Sequence, residues 1–265
     1  MVQATLKGLL IDIDGVLTVS WKPLPGASDC FQWLRQSALP FRLVTNTSSK
    51  SRRQIADTLS EAGLQVDPSE ISTAVSSAAR HLAERYAGEA CLVVNEGPLD
   101  EDLSDVTQTS DPRSARVVLL GGAGPSTGYC EFDTVFKLAH EGVPVLALHR
   151  NTRFQTADGP AMDMGAFILG LEAAAHVDIP VLGKPSGDFF EAALKQMDLT
   201  AGEVAMVGDD VYADVLGAQK AGITGVLVKT GKFDQRELDK ISPSPDHVIE
   251  EIGRLPELLR TFIRK

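Results

Sequence analysis

The chain has 265 residues, 43% of them hydrophobic, and carries 25 basic against 36 acidic side chains for a net charge of −11. That length can bury a substantial core and lies near the size at which chains divide into two domains. The acidic balance and dispersed basic residues argue against nucleic-acid or anionic-membrane partners, and no apolar run approaches the ~20 residues of a membrane span.

The first residues form a strand candidate without the charged-then-apolar layout of a signal peptide. Cys30, Cys91 and Cys130 are scattered, form no metal-type pair and fit a reducing compartment, so a cytoplasmic location is expected. Residues 6–12 read as a strand, 28–36 as a short helix, 41–45 as a second strand, and 51–62 as a helix that Gly63 stops. Helices are expected at 73–86, 129–140 and 164–176, with strands at 90–94, 115–120 and 145–148. Strands at 203–208 and 223–228 flank a helix at 212–221, and a last helix runs from about 249 to 263. This alternation predicts an α/β fold with a doubly wound parallel sheet. There is no internal repeat and no low-complexity segment.

Four segments carry chemistry. The run Gly8-Leu9-Leu10-Ile11-Asp12-Ile13-Asp14-Gly15 is a buried strand ending in two acids, at the end of an α/β strand where ligands bind. A turn that merely ends the strand is the plainer alternative; an EF-hand fits poorly because Gly15 falls fourth rather than sixth. Leu43-Val44-Thr45-Asn46-Thr47-Ser48-Ser49 ends a second strand in neutral donors. Those suit a phosphate and equally suit a loop capping the next helix. In Val181-Leu182-Gly183-Lys184-Pro185-Ser186, Pro185 suits the first turn of the helix ahead. Lys184 therefore falls near a helix N-terminus, as a charge-balancing ammonium or an ordinary solvated lysine. In Val207-Gly208-Asp209-Asp210-Val211-Tyr212-Ala213-Asp214, acids again follow a strand, as oxygen ligands for Mg2+ or as helix-capping groups.

Taken in order, Asp12-x-Asp14-Gly15, Thr45-Asn46, Lys184-Pro185 and Gly208-Asp209-Asp210-x3-Asp214 resemble the four motifs of the haloacid dehalogenase superfamily. The resemblance spans nearly the whole chain, including Val228-Lys229-Thr230-Gly231. Only 31 residues separate Asp14 from Thr45, whereas 139 separate Thr45 from Lys184. The surplus is domain-sized, and its position is similar to the NagD-like class with an inserted α/β C2-type cap. Within that class the chain resembles the phospholysine phosphohistidine inorganic pyrophosphate phosphatase group. The expected organisation is a Rossmann-like catalytic core over 1–72 and 179–265 and a specificity cap over 73–178.

The resemblance implies a Mg2+-dependent phosphatase of small phosphorylated metabolites. Asp12 becomes the nucleophile and Asp14 the general acid and base. Asp12, Asp209 and the main-chain oxygen of Asp14 become Mg2+ ligands, with Asp214 behind them. Thr45 and Asn46 are implied to hold phosphoryl oxygens, and Lys184 to balance charge. A phosphotransferase or phosphomutase using the same intermediate, or a weakly active metabolite-binding regulator, are the alternatives. Related proteins pair through the cap, making a homodimer a partner expectation. In the cap, His149, Arg150 and Arg153 form a candidate specificity loop, with a basic surface turn as the alternative. Gly121 to Pro125 lacks a P-loop ending and reads as a turn. His81, His140 and His176 lack metal-ligand spacing.

Overall fold

The computed structural model describes residues 6–37, 39–156 and 159–263; positions 1–5, 38, 157–158 and 264–265 of the expected core and cap stretches lie outside the described residues. The chain divides into two compact units. One comprises the stretches up to Thr45, Arg53–Ser72 and from Lys184 onward; the other comprises Asn46–Arg52 and Thr73–Gly183.

The first unit is built on a six-stranded sheet. Its strands follow the order His247–Ile249, Thr224–Val228, Val204–Gly208, Gly8–Asp12, Phe41–Thr45, Ile71–Thr73. Gly8–Asp12 runs parallel to both neighbours, with Leu10 opposite Met206 and Asp12 opposite Val44. Successive strand side chains point to opposite faces, so each face takes its own helices. Leu9, Ile11, Leu43, Val207 and Val226 pack with helices Ala27–Ser37, Arg52–Glu61 and Leu255–Ile263. Leu10, Val44, Val204 and Met206 pack on the other side against Phe189, Phe190, Ala193 and Leu194, one stripe of helix Gly187–Met197. The sheet is doubly wound, as the alternation of elements implies. From the central Gly8–Asp12 strand the chain proceeds first to one side and later to the other. That reversal opens a crevice at the strands' C-terminal ends.

The second unit has a four-stranded parallel sheet in the order Gln108–Thr109, Cys91–Val94, Val117–Leu120, Val145–Ala147. Val118 and Leu120 face helices Tyr129–His140 and Met164–Ala175, while Val117 and Leu119 face helix Ala74–Arg85. The unit continues to Gly183 because that segment joins the sheet: Leu182 N–H donates to Ala147 O at 2.8 Å and Gly183 N–H to Leu148 O at 3.0 Å. It includes Asn46–Arg52 because Asn95 donates to Ser48 O at 3.0 Å and Asp102 holds both the backbone N and Nε of Arg52.

Three local expectations are corrected. Ile249 ends a short edge strand rather than opening a helix; the last helix starts at Leu255 after a 3-10 turn at Ile252–Arg254. Pro185 lies outside its helix, whose N-cap is Ser186. The stretch expected as one helix over 212–221 begins as a wide π-turn, Val211–Leu216, before four α-helical residues. Truncating Phe190, fully buried under the sheet, is expected to cost about 3–5 kcal/mol as Phe190→Ala, read from the shift in denaturant midpoint.

Candidate active site

Asp12, Thr45 and Asp209 stand at or just beyond the C-terminal ends of three adjacent strands, so the sheet alone brings them to one edge. Lys184 enters between the acids. Its Nζ is 2.7 Å from Asp12 Oδ1 and 2.7 Å from Asp214 Oδ1, and it donates to Val44 O at 3.4 Å. All four of Asp12, Lys184, Asp209 and Asp214 are buried. Burial by itself lowers the Lys184 pKa, but the Asp12 and Asp214 charges outweigh it and the net shift is upward. The ammonium is therefore locked in its charged form.

The π-turn explains how Asp214 reaches this centre. Asp210 caps it, accepting from the backbone N–H of Tyr212 and Ala213 at 3.1 and 3.0 Å. Both Asp214 N–H and Val215 N–H bond to Asp210 O, and the widened turn holds Asp214 inward beneath Lys184. Such turns recur at functional sites. Asp210 is thus the capping acid, and Asp214 belongs to the cluster.

Asp209 lies in a slot made of backbone. A Cβ on Gly15 would come within 1.9 Å of Asp209 Oδ2 and one on Gly231 within 2.0 Å; both glycines have positive φ. Asp209 Oδ2 accepts the Lys232 backbone N–H at 2.6 Å, whereas Oδ1 is buried without a hydrogen-bond partner among the described residues. Burial first, then the neighbouring carboxylates, raise the pKa of Asp209. Burial likewise raises Asp214, more than Lys184 lowers it. Asp14 keeps solvent access, yet adjacent protein and the Asp12 charge push its pKa upward against Lys232 and a Ser20 backbone hydrogen bond.

One oxygen from each of Asp12, Asp209 and Asp214 lies within 4.8 Å of the others. Three buried carboxylates facing one buried ammonium leave uncompensated negative charge, and the partnerless Asp209 oxygen is an available hard donor. The donor set fits a divalent cation of the Mg2+ type, which prefers a few carboxylates and retained water. The ligand set implied by the resemblance includes the Asp14 main-chain oxygen with Asp214 behind it; the carboxylate of Asp214 lies close to those of Asp12 and Asp209.

The other expected residues divide. Thr45 is buried at its strand end, whereas Asn46 falls in the second unit with Oδ1 against Gly183. His149 is buried, accepts the Asn151 N–H at 3.3 Å and lies 4.0 Å from Asp163. Arg150 is held by Glu172 at 2.5 Å, while Arg153 is exposed at the start of strand Arg153–Thr156. These contacts of His149 and Arg150 lie within the second unit. Lys232, absent from the expected set, is a second cation at the site. It is half-exposed, with Nζ 3.5 Å from Asp210. Burial lowers its pKa less than Asp210, Asp209, Asp12 and Asp214 raise it. Its sequence signal is the one Lys184 also carries, a lysine directly after a glycine beyond an apolar run.

A buried carboxylate at a strand tip, paired with a lysine and flanked by a more exposed acid, is the arrangement on which the comparisons with known proteins bear. A haloacid dehalogenase-like hydrolase model matches residues 9–108, and a HAD-hydrolase-like model matches residues 181–255. Haloacid dehalogenase-like hydrolase domain-containing protein 2 of Mus musculus is 33% identical over 261 residues, spanning 94% of this chain and 98% of its own. The phospholysine phosphohistidine inorganic pyrophosphate phosphatase of Homo sapiens is 30% identical over 262 residues, spanning 97% and 95%. The p-nitrophenyl phosphatase from Archaeoglobus fulgidus has a TM-score of 0.88 at 28% identity, covering 96% of this chain and 99% of that one. For NagD from E. coli K-12 the TM-score is 0.84 at 26% identity, covering 94% and 98%. The chain belongs to the haloacid dehalogenase-like hydrolase family, in its NagD-like class. Among the described residues no helix is long and apolar enough to cross a membrane.

The raised acids set a pH dependence. Asp209 and Asp214 bind protons more tightly folded than unfolded. Their stabilising contribution is therefore complete below the ordinary carboxylate value of 3.8 and is lost as pH rises through their raised folded values. A bound cation offsets that loss. The rise in Tm produced by Mg2+ is expected to grow as pH increases from about 4 to about 8, and to shrink in Asp209→Asn. Thermal unfolding with and without Mg2+ across that range checks both.

Proposed function

We propose that this protein is a Mg2+-dependent phosphatase of small phosphoric monoesters, working through a phosphorylated Asp12. The observation that carries the reading is the convergence of Asp12, Lys184, Asp209 and Asp214 in one buried cluster, with the more exposed Asp14 two residues from Asp12. The family relatives include phosphatases by name.

An Asp12 carboxylate oxygen attacks phosphorus and the bond to the leaving oxygen breaks. Asp14, protonated as its raised pKa favours, gives its proton to that oxygen and releases an alcohol. The Asp14 carboxylate then takes a proton from water, whose oxygen attacks phosphorus. The bond to Asp12 breaks, giving inorganic phosphate and restoring both acids. Lys184 holds Asp12 in place and neutralises part of the charge that collects there. Thr45, beside Asp12 at the next strand end, supplies a donor for a phosphoryl oxygen, and Lys232 adds positive charge where the substrate dianion must approach. Asp12, Asp209 and Asp214 would hold Mg2+, which when bound neutralises phosphoryl charge. Substrate selection is assigned to the Thr73–Gly183 unit by analogy with the inserted cap of the NagD-like class.

Asp12→Asn is expected to lower turnover of p-nitrophenyl phosphate by ~10³-fold or more while leaving the fold intact by circular dichroism. Acid-quenched wild-type enzyme should carry a phosphoryl mass increment on the peptide containing Asp12. Undiminished hydrolysis by the folded variant refutes the reading. Lys232→Met should raise KM for the same ester by about 10-fold, the effect of losing one partly exposed charge contact. Steady-state kinetics at fixed Mg2+ measures it.

A further inference from the structure

The run Val228-Lys229-Thr230-Gly231 belongs to the sequence resemblance, yet the reaction described above gives it no task. Its strand, Thr224–Val228, lies beside Val204–Gly208, so the segment leaving it passes the acids at the neighbouring strand end. That segment is tied down. Lys229 N–H donates to Ile249 O at 3.0 Å, and its Nζ lies 2.7 Å from Glu250. Phe233 N–H donates to Thr230 O at 3.0 Å, closing a four-residue turn around Gly231 and Lys232.

The turn grips two other pieces of chain. Lys232 N–H meets Asp209 Oδ2 at 2.6 Å, and the Thr230 hydroxyl donates to Gly15 O. Gly15 is itself held by the loop that follows Asp14. Its N–H donates to Thr18 O at 2.7 Å, and Leu17 and Thr18 N–H both donate to Ile13 O. Gly231 fills the gap between the two grips: a Cβ there would come within 2.0 Å of Asp209 Oδ2 and 2.5 Å of Gly15 Cα. The pieces therefore interlock main chain against main chain. A carboxylate is planar, so engaging Oδ2 in a charge-assisted hydrogen bond restricts where Oδ1 points. Oδ1 is the oxygen buried without a hydrogen-bond partner among the described residues.

We propose that Thr230 is a positioning residue for Asp209 as a cation ligand, resting on the Mg2+ reading of the site. The Thr230 hydroxyl latches the turn onto Gly15. The latched turn aims Lys232 N–H at Asp209 Oδ2, and that bond leaves Oδ1 as the hard donor. Thr230 contributes no ligand atom of its own and acts through the Lys232 main chain. Groups that orient ligands from behind govern metal affinity in this way. Without the hydroxyl the turn is free to drift from Gly15, and the cation must order the Asp209 carboxylate as it binds.

The test is the Mg2+ dissociation constant of the substrate-free protein, taken from the rise in Tm over a Mg2+ titration. Thr230→Val keeps the side-chain shape, removes the donor and should raise that constant about 10-fold. Thr230→Ser restores a hydroxyl on a less restricted χ1 and should stay within about 3-fold of wild type. Gly231→Ala drives a methyl group into the interlock and should raise the constant at least as far as Thr230→Val. A tie that served the fold alone would lower the Tm of metal-free protein and leave the dissociation constant unmoved. A folded Thr230→Val protein with wild-type Mg2+ affinity therefore overturns the proposal; Thr230→Ala is judged the same way if the valine variant does not fold. A serine variant that loses affinity as fully as Thr230→Val also overturns it, because the hydroxyl is then not the agent. Wild-type protein whose Tm does not respond to Mg2+ instead overturns the cation reading itself, and the positioning role with it.

Discussion

The site depends on one buried ammonium shared between two carboxylates. Lys184 lies 2.7 Å from both Asp12 and Asp214, with Asp209 in the same group of acids. Burying one charge is costly, and here one buried ammonium offsets only part of three buried carboxylates. Buried ion pairs are a weak source of stability relative to apolar packing. This cluster therefore makes sense as chemistry that the surrounding core supports. The supporting layers are the two apolar faces of the sheet, which pack the strands whose ends carry Asp12 and Asp209.

Backbone shape supplies what strand order alone cannot. Gly15 and Gly231 close on the Asp209 carboxylate at distances no Cβ tolerates, and a Cβ on Gly208 would sit 2.2 Å from that of Asp214. Space around these acids is thus filled by main chain, which offers N–H donors without adding bulk. The π-turn at Val211–Leu216 does the complementary job. It widens the path enough to keep Asp210 at the cap while Asp214 stays inside. Each device trades local regularity for carboxylate placement, the pattern expected where function overrides propensity.

The parts legible from sequence are those set by local pattern. Apolar runs ending in acids give away strands and their functional tips, and alternation of elements gives the doubly wound sheet. The less legible parts depend on contacts distant in sequence. Arg150 reads as an available cation until Glu172, one helix later, claims it. The resemblance places Asp214 behind the metal ligands; how close its carboxylate comes to those of Asp12 and Asp209 depends on the π-turn, which no local pattern announces. His247–Ile249 is too short to announce itself as a strand, and it exists because Thr224–Val228 offers an open edge. Lys232 has only one local cue, the preceding glycine. Its significance comes from the acids that sequence separation of more than twenty residues brings near it.

Electrostatics also constrain the order of events. Asp12, Asp14, Asp209 and Asp214 face Lys184 and Lys232, on a chain whose net charge is −11. Lys184 is already engaged by two carboxylates, so it has little attraction left for a phosphate dianion. Lys232 is half-exposed and screened by solvent. With all four acids ionised, a dianion meets repulsion, and Asp12 lacks a reason to approach phosphorus. Positive charge must be added first, by protons on the raised acids or by a divalent cation among them. Protons would reach Asp209 and Asp214 as well as Asp14, and Asp14 alone needs one for the leaving group. On the proposed reading, a cation held by Asp12, Asp209 and Asp214 would supply charge without neutralising the Asp14 carboxylate, whose own pKa is raised by its surroundings. On that reading the two kinds of positive charge would fall on different acids, so that a single cluster could accommodate both an ionised nucleophile and a protonated acid.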